Sequence, residues 1–460
     1  MATAASPVKL LKRLIWLYLV LLLVEGALRK WAAGPSLSNV LLIIRDPVVI
    51  LIYLVAMSSG RFVFNGYVAG CLMLAAGTFC ASLLAPDSNL YVTLIGMRCY
   101  FLHLPLIFVM ERTLKEEDIW KIGKFLLWFA IPETLLCVQQ FLSPQTALVN
   151  LSVGGQLTQG MSGALDKFRP SGTFSFTTGV AALYPLVLAV LLGFLLTRKK
   201  IPTYLSIAAA VCVAVAIPVS ISRTNALTCA LVLLASGVAV FFLPSPPKAI
   251  LRVVLFLGVV VLISSWLPHF DEGVAAFSAR WSDSTGQDVQ GFQTNIVQRF
   301  FGDLLPSPGL LFDAPVLGVG VGLGTPMAQA FLTGARQFAL GEAEWQRVIL
   351  EMGPIFGIAF ILLRVSICIR LVRLSILSLR RENIWPTLFA VEGFFLVLNA
   401  QWGQATTLGF ATFSAGLAFA SVHMVLAPAK IKVRKKYRRP LQPGFDNYEP
   451  KPESGTSYTI

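Results

Sequence analysis

Charge is what this sequence is shortest of. Only 13% of its 460 residues are Asp, Glu, Lys or Arg, while 56% are hydrophobic and the mean hydropathy is +0.74; a soluble chain carries about a quarter charged residues. That deficit excludes a soluble globular protein. Histidine is rarer still, with three in the chain. The seven cysteines (Cys71, Cys80, Cys99, Cys137, Cys212, Cys229 and Cys368) show neither a disulfide framework nor a zinc spacing and read as small apolar filler. The glycine run Gly318, Gly320, Gly322, Gly324 lacks the Lys and Ser/Thr of a P-loop, which argues against nucleotide binding and for a tight re-entry turn. No metal and no organic cofactor is expected. Strand-like alternation is also missing, because the apolar runs are too continuous for a membrane barrel.

What is present is a succession of apolar runs of membrane length, roughly 20 residues each. They predict an all-α, polytopic membrane helix bundle with about twelve spans, at 10–28, 38–58, 64–84, 90–110, 119–142, 173–196, 203–221, 225–243, 249–267, 346–364, 385–402 and 405–426. The first run follows Lys9, Lys12 and Arg13 but is followed by Arg29-Lys30-Trp31 rather than a small-residue cleavage site, so it reads as a retained helix. Lys and Arg accumulate in cytoplasmic loops. With both termini cytoplasmic, the basic groups at 9–13, 61, 112–124, 198–200, 248–252, 364–381 and 430–439 all fall inside. Arg29-Lys30 is the exception and makes the first hairpin the least secure. The net charge of +14 is accounted for by these loops and the tail beside anionic lipid, not by nucleic acid. The chain divides into a transmembrane domain, 1–427, and a basic cytoplasmic tail, 428–460, whose composition beyond Pro440 is that of a disordered segment.

This topology puts two long loops outside, 143–172 and 267–345. The second lies between helices 9 and 10, is acidic, and is rich enough in Phe and Leu (Phe300-Phe301, Leu310-Leu311-Phe312) to fold onto the membrane face. Ionisable residues within spans are costly and are functional candidates. Glu25, Arg45, Asp46, Arg98, His103, Glu133, Arg223, Arg347, Glu351 and Glu392 qualify, most within about 15 Å of the outer surface at 1.5 Å per residue. Asn399, Gln401 and Gln404 join them at the outer turn of the last hairpin. Bland readings stand beside the functional ones: Arg45-Asp46-Pro47 as a local ion pair at a proline break, Glu25 and Arg29 as an i,i+4 pair, His103 as a hydrogen-bonded core residue, and Glu392 as a packing partner.

Two stretches rise above this background. Phe168-Arg169-Pro170-Ser171-Gly172-Thr173-Phe174 places Arg169 at the mouth of a helix, where N–H groups and a guanidinium suit phosphate. Glu344, Arg347 and Glu351 are spaced by three and four, hence on one helix face. They can pair a general base with a phosphate clamp, or form a structural ion-pair ladder.

Arg-Pro-Ser-Gly-Thr-Phe ahead of an apolar helix, Ser222-Arg223 at the head of a later one, a large external loop with a Gly-Val-Gly-Leu-Gly turn, and Glu351-x-Gly353 entering the next span resemble, from about residue 168 to 360, the bacterial O-antigen ligase and polymerase superfamily. The resemblance implies a multi-pass inner-membrane protein that transfers a saccharide from a polyprenyl-pyrophosphate donor to a glycan or lipid acceptor on the periplasmic face. It further implies no metal or nucleotide, and envelope polysaccharide assembly proteins as partners. Carried over by position, Arg169 and Arg223 hold the pyrophosphate; Arg45 and Arg98, on the same outer half, are added as candidates. Where the family commonly has His-Asn ahead of the Glu-x-Gly helix, this chain has Glu342-Ala343-Glu344, and its external histidine, His269, lies at the other end of the loop. A divergent branch with Glu342 or Glu344 as base, such as an exopolysaccharide polymerase, is the reading that follows. The other class to weigh is a transporter or flippase of a lipid-linked or anionic solute, although no repeat between halves is evident; a third is an assembly scaffold.

Overall fold

The computed structural model describes residues 7–85, 89–155, 163–197, 201–244, scattered positions between 246 and 266, then 269–285, 314–334, 339–341 and 343–424. Glu342, the loop segment 286–313, the basic cluster 198–200 and the tail 428–460 lie outside the described residues. Among the described residues the fold is all helical, with no strand. The helices are α1 (Pro7–Ala27), α2 (Pro35–Leu41), α3 (Arg45–Ser58), α4 (Gly66–Leu83), α5 (Leu90–Met97), α6 (Leu106–Thr113), α7 (Glu116–Leu142), α8 (Thr177–Thr197), α9 (Thr203–Val219) and α10 (Arg223–Val240). They continue as α11 (Phe270–Thr285), α12 (Pro326–Thr333), α13 (Glu344–Leu379), α14 (Trp385–Leu398) and α15 (Ala405–Ser421). Among the described residues, seven helical segments are long and apolar enough to cross a membrane, and three shorter apolar helices (Thr203–Val219, Trp385–Leu398, Ala405–Ser421) accompany them. The chain is a helical membrane protein. The expected span 249–267 falls largely outside the described residues, although positions 250, 251, 253 and 254 are helical.

The core is built on α15, all of whose residues are buried. Its sequence of Ala, Gly, Ser and Thr between Phe and Leu lets neighbours approach closely, as small residues do where no hydrophobic force separates helix from lipid. A Cβ on Gly393 of α14 would sit 3.2 Å from the Ala415 amide nitrogen. Around this pair stand α6 and α8, while α4 and the α2–α3 segment keep most of their surface on the outside of the bundle. Six cysteines are buried and all seven are free; Cys80 is exposed.

Three expected helices are broken, each at a local cause. The run 38–58 divides into α2 and α3, with a turn over residues 42–44 ahead of Pro47, which has no N–H to give to the preceding turn. The run 90–110 divides into α5 and α6 around a π-helical turn, Arg98–Leu102, and Pro105. A second π turn, Leu28–Ala32, follows α1; such turns re-aim side chains and are common at functional sites. The largest difference is in α13, which the sequence predicts as a single span over 346–364. Gly353 has φ 76° and ψ 165° ahead of Pro354, so the helical path breaks there. The short helix before the break folds back on the long one after it, and a Cβ on Gly357 would lie 2.9 Å from Ile349 Cα.

Candidate functional site

Most of the sequence-predicted polar residues gather into two buried networks, while Glu133 holds a turn of its own and Arg169, Arg223 and Glu392 lie apart from both networks. The first network begins at the end of α1. Arg29, turned inward by the π turn, donates from Nη1 to Glu25 Oε1 (2.9 Å) and to Ser175 Oγ (3.0 Å), and from Nε to the Ser38 carbonyl (2.9 Å). Glu25 Oε2 also faces Arg45 Nη2 at 3.7 Å. Arg45, fully buried, donates to the Ala405 carbonyl and, at 3.4 Å, to the Tyr18 hydroxyl. Tyr18 then bonds His103 Nδ1 at 2.9 Å, His103 Nε2 meets Asp46 Oδ1 at 3.0 Å, and Asp46 Oδ2 accepts from Arg98 Nε. Arg45 and Asp46 therefore do not pair with each other: neighbours in sequence, they serve opposite ends of one chain of bonds. His103 is a hydrogen-bonded core residue. Three arginines (29, 45, 98) meet only two carboxylates (25, 46), so even with His103 neutral the network carries an excess positive charge.

The second network is the ladder on α13. Glu344 accepts from Arg347 Nη2, from Arg364 Nη1 at 2.8 Å and from the Trp402 amide at 3.2 Å. Arg364 belongs, by the charge count, to a cytoplasmic cluster. Instead it is fully buried, with Nε on the Val397 carbonyl (2.6 Å) and Nη2 on that of Ala400 (2.9 Å), because the reversal at Gly353 brings it back to Glu344. Glu351 accepts the Gly322 amide at 2.8 Å and the Gly324 amide at 2.9 Å. The glycine run is thus a re-entry turn that encloses a protein carboxylate. Gly322, at φ 94°, also passes so close to α5 that a Cβ would lie 2.5 Å from the Val92 carbonyl oxygen.

The Arg-Pro-Ser-Gly-Thr-Phe stretch works in the same way. Helix α8 starts at Thr177 rather than 173, and the amides ahead of it are already occupied: Thr173 N–H donates to Glu133 (3.1 and 3.2 Å) and Gly172 N–H to Gln140 Oε1 (2.8 Å). Lys30 Nζ donates to Ser171 Oγ (3.0 Å) and the Gly172 carbonyl. Each of these two glycine-bearing turns is therefore pinned to the bundle by a buried glutamate that accepts its backbone N–H groups. Arg169 stands just before this turn. Arg223, in the first turn of α10, faces Arg280 of α11, whose Nη1 donates to the Gly163 carbonyl (3.0 Å). A neighbouring clip joins Lys167 Nζ to Glu272 Oε2 (3.0 Å) and His269 Nδ1 to Glu272 Oε1 (2.6 Å). Those two bonds, His269 first, hold the Glu272 carboxyl below its ordinary value.

Between the first network and α12 lies a cavity of about 580 Å³. Arg29, Ser175, Asn39 and Gln404 give it polar walls; Tyr91, Phe176, Met327 and Phe331 give it apolar ones. Gln404 is oriented by Thr178 Oγ1, which donates to its Oε1 at 2.9 Å, and Tyr91 packs on Phe331 with ring centres 4.3 Å apart. Arg45 and Arg98 stand behind this cavity, and Glu344, Arg347, Arg169 and Arg223 do not line it. Arg29 is a cavity residue that no motif in the sequence marks. The signal for it was present, since Arg29 and Lys30 are the basic pair that break the charge rule, and both are buried in bonds rather than bathed in solvent. Among the described residues, no group of His, Cys, Asp and Glu is arranged to hold a metal. No family model and no curated protein matches this chain.

Proposed function

We propose that the protein is a membrane glycosyl-transfer enzyme of the polymerase or ligase kind, taking a saccharide from a polyprenyl-pyrophosphate donor on the periplasmic face of a bacterial inner membrane. The observation that carries this reading is the uncompensated positive charge of the Arg29–Arg45–Arg98 network, one member of which, Arg29, lines a mainly apolar cavity with a few polar groups. A buried excess cation calls for an anion, and arginine binds phosphate oxygens in a fixed fork. The aromatic and apolar walls suit a prenyl chain or a sugar face. Under a topology with both termini cytoplasmic, about twelve spans and the loop 267–345 outside, the cavity opens to the external face.

In this reading Arg29, backed by Arg45, neutralises the charge that develops on the pyrophosphate leaving group without transferring a proton. Ser175, Asn39 and Gln404 orient saccharide hydroxyls. The acceptor hydroxyl must lose a proton as it attacks the anomeric carbon, and a carboxylate is the natural acceptor for it. Of the two carboxylates that the family resemblance puts in that place, Glu344 is spent on Arg347, Arg364 and the Trp402 amide, which leaves Glu342. Arg169 and Arg223, ahead of the pinned turn and at the head of α10, are left to guide the anionic donor inward. Filling the cavity tests the assignment: Ala330→Phe on α12, which lines it, abolishes polymer in cells while the protein still reaches the membrane. Polymer of normal length from that variant sinks the proposal.

A further inference from the structure

Among the described buried acids, Glu392 stands alone. Glu25 and Glu344, like the half-buried Asp46, each meet an arginine, Asp118 meets Lys12, and Glu133 and Glu351 accept backbone N–H groups. Glu392 has neither. It lies within α14, is 2% exposed, and Leu398 ends the helix about 9 Å further on. Ser414 Oγ of α15 donates to its Oε2 at 3.3 Å, and its Oε1 has no partner.

Nothing on the surrounding helices compensates a negative charge there. From α10 comes the Cys229 thiol, which donates to Asn225 Oδ1 at 3.5 Å. From α13 come Cys368, whose thiol donates to the Phe394 carbonyl at 3.5 Å, and Arg364, whose Nε, Nη1 and Nη2 are taken by Val397, Glu344 and Ala400. From α8 comes Tyr184, bonded to Thr134 at 2.8 Å. No titratable side chain occurs on α15 between Ala405 and Ser421. A carboxylate in such a place loses its hydration with no Coulomb return, and the protonated, neutral acid does not.

We propose that Glu392 is a proton-binding site in the membrane interior, occupied at neutral pH, and that it is the carboxyl of this protein that an apolar carbodiimide modifies. In that modification the acid adds across one C=N bond of the reagent. The carboxyl proton goes to nitrogen and the carboxyl oxygen to the central carbon. The O-acylisourea then rearranges by an O-to-N acyl shift to a stable N-acylurea, with no leaving group and no other reactant. The ion-paired carboxylates do not enter this reaction, because it starts from the protonated acid. The proposal is independent of the glycosyl-transfer reading, since it rests on α8, α10, α13, α14 and α15 alone.

Infrared spectroscopy of the purified full-length protein tests the proton directly. At neutral pH the wild type shows the carbonyl stretch of a protonated carboxyl group, and the band is weaker in Glu392→Gln, which keeps the shape of the acid. Treatment with dicyclohexylcarbodiimide followed by peptide mass spectrometry places the adduct on Glu392 and not on the arginine-paired Glu25, Asp46 or Glu344. If the variant does not accumulate, the wild-type adduct map decides alone. A wild-type spectrum without the band, or a map with no adduct on Glu392, overturns the proposal.

Discussion

Arg29 Nη1 reaches Ser175 Oγ across 3.0 Å and so joins the end of the first helix to the turn that opens α8. The same guanidinium nitrogen holds Glu25 at 2.9 Å, and both Arg29 and Ser175 line the cavity. Local geometry and proposed chemistry thus meet in one side chain. Arg29→Ala is expected to abolish transfer and to lower stability by about 3 kcal/mol, because Glu25 loses one of its two cations inside the protein. Arg29→Lys keeps the charge but not the fork, and retains stability better than activity. Thermal unfolding in detergent beside a polymer assay separates the two effects; full activity in Arg29→Ala contradicts the assignment.

Glu344 distinguishes a base from a strut. A catalytic base replaced by its amide loses activity and keeps its fold. Glu344→Gln instead turns an amide toward Arg347 and Arg364 and leaves two buried cations short of their anion, a loss of about 3–5 kcal/mol. The melting temperature is therefore expected to fall together with activity. A variant that is inactive yet as stable as the wild type would restore Glu344 as the base.

The turn over Glu133 is sensitive to a single methyl group. Gly172 has φ 54°, and a Cβ there would sit 1.7 Å from Glu133 Oε1. The left-handed backbone alone costs a non-glycine residue about 1–2 kcal/mol, and the clash adds to it. Gly172→Ala is expected to lower folded yield and melting temperature sharply. Gly34→Ala, where a Cβ meets nothing within 4 Å, stays within about 0.5 kcal/mol of the wild type. Equal melting temperatures for the two variants would show that the turn does not depend on this approach.

The clip between Lys167, His269 and Glu272 gives an acid-side pH dependence. The Glu272 carboxyl is held below its ordinary value by His269 and then Lys167, so its contribution is fully present above the unfolded value of about 4.3. It is lost as pH falls through the lower folded value. Hydrogen exchange of α11 amides is expected to accelerate on acidification below that range in the wild type, and Glu272→Gln removes the dependence. Identical acid profiles in the two proteins would detach α11 from this contact.

Much of this architecture is legible in composition and spacing. The apolar runs give the helices, and Glu25, Arg45, Asp46, Arg98 and His103 stand out as ionisable residues within them that meet in one network. Pairing is not legible. Arg45 and Asp46 read as a local pair, yet adjacent residues on a helix point apart, and each finds a partner from another helix. The dipeptide Gly353-Pro354 is a known breaker, but an apolar run on both sides of it hides a reversal, and with the reversal hidden Arg364 reads as a cytoplasmic charge. The turn at Gly172 reads as a phosphate site and the glycine run as a re-entry turn. Both enclose carboxylates of the protein itself, Glu133 and Glu351, which no local pattern announces.

Transfer by the purified protein in liposomes, with a labelled saccharide on polyprenyl pyrophosphate, decides whether the protein is a glycosyl-transfer enzyme. A new glycosidic bond and released polyprenyl pyrophosphate are expected with the wild type, and loss of both in Gln404→Ala and Asn39→Ala at unchanged melting temperature. Label that crosses the bilayer without forming a glycosidic bond, or a donor left intact by folded wild-type protein, would contradict the glycosyl-transfer reading.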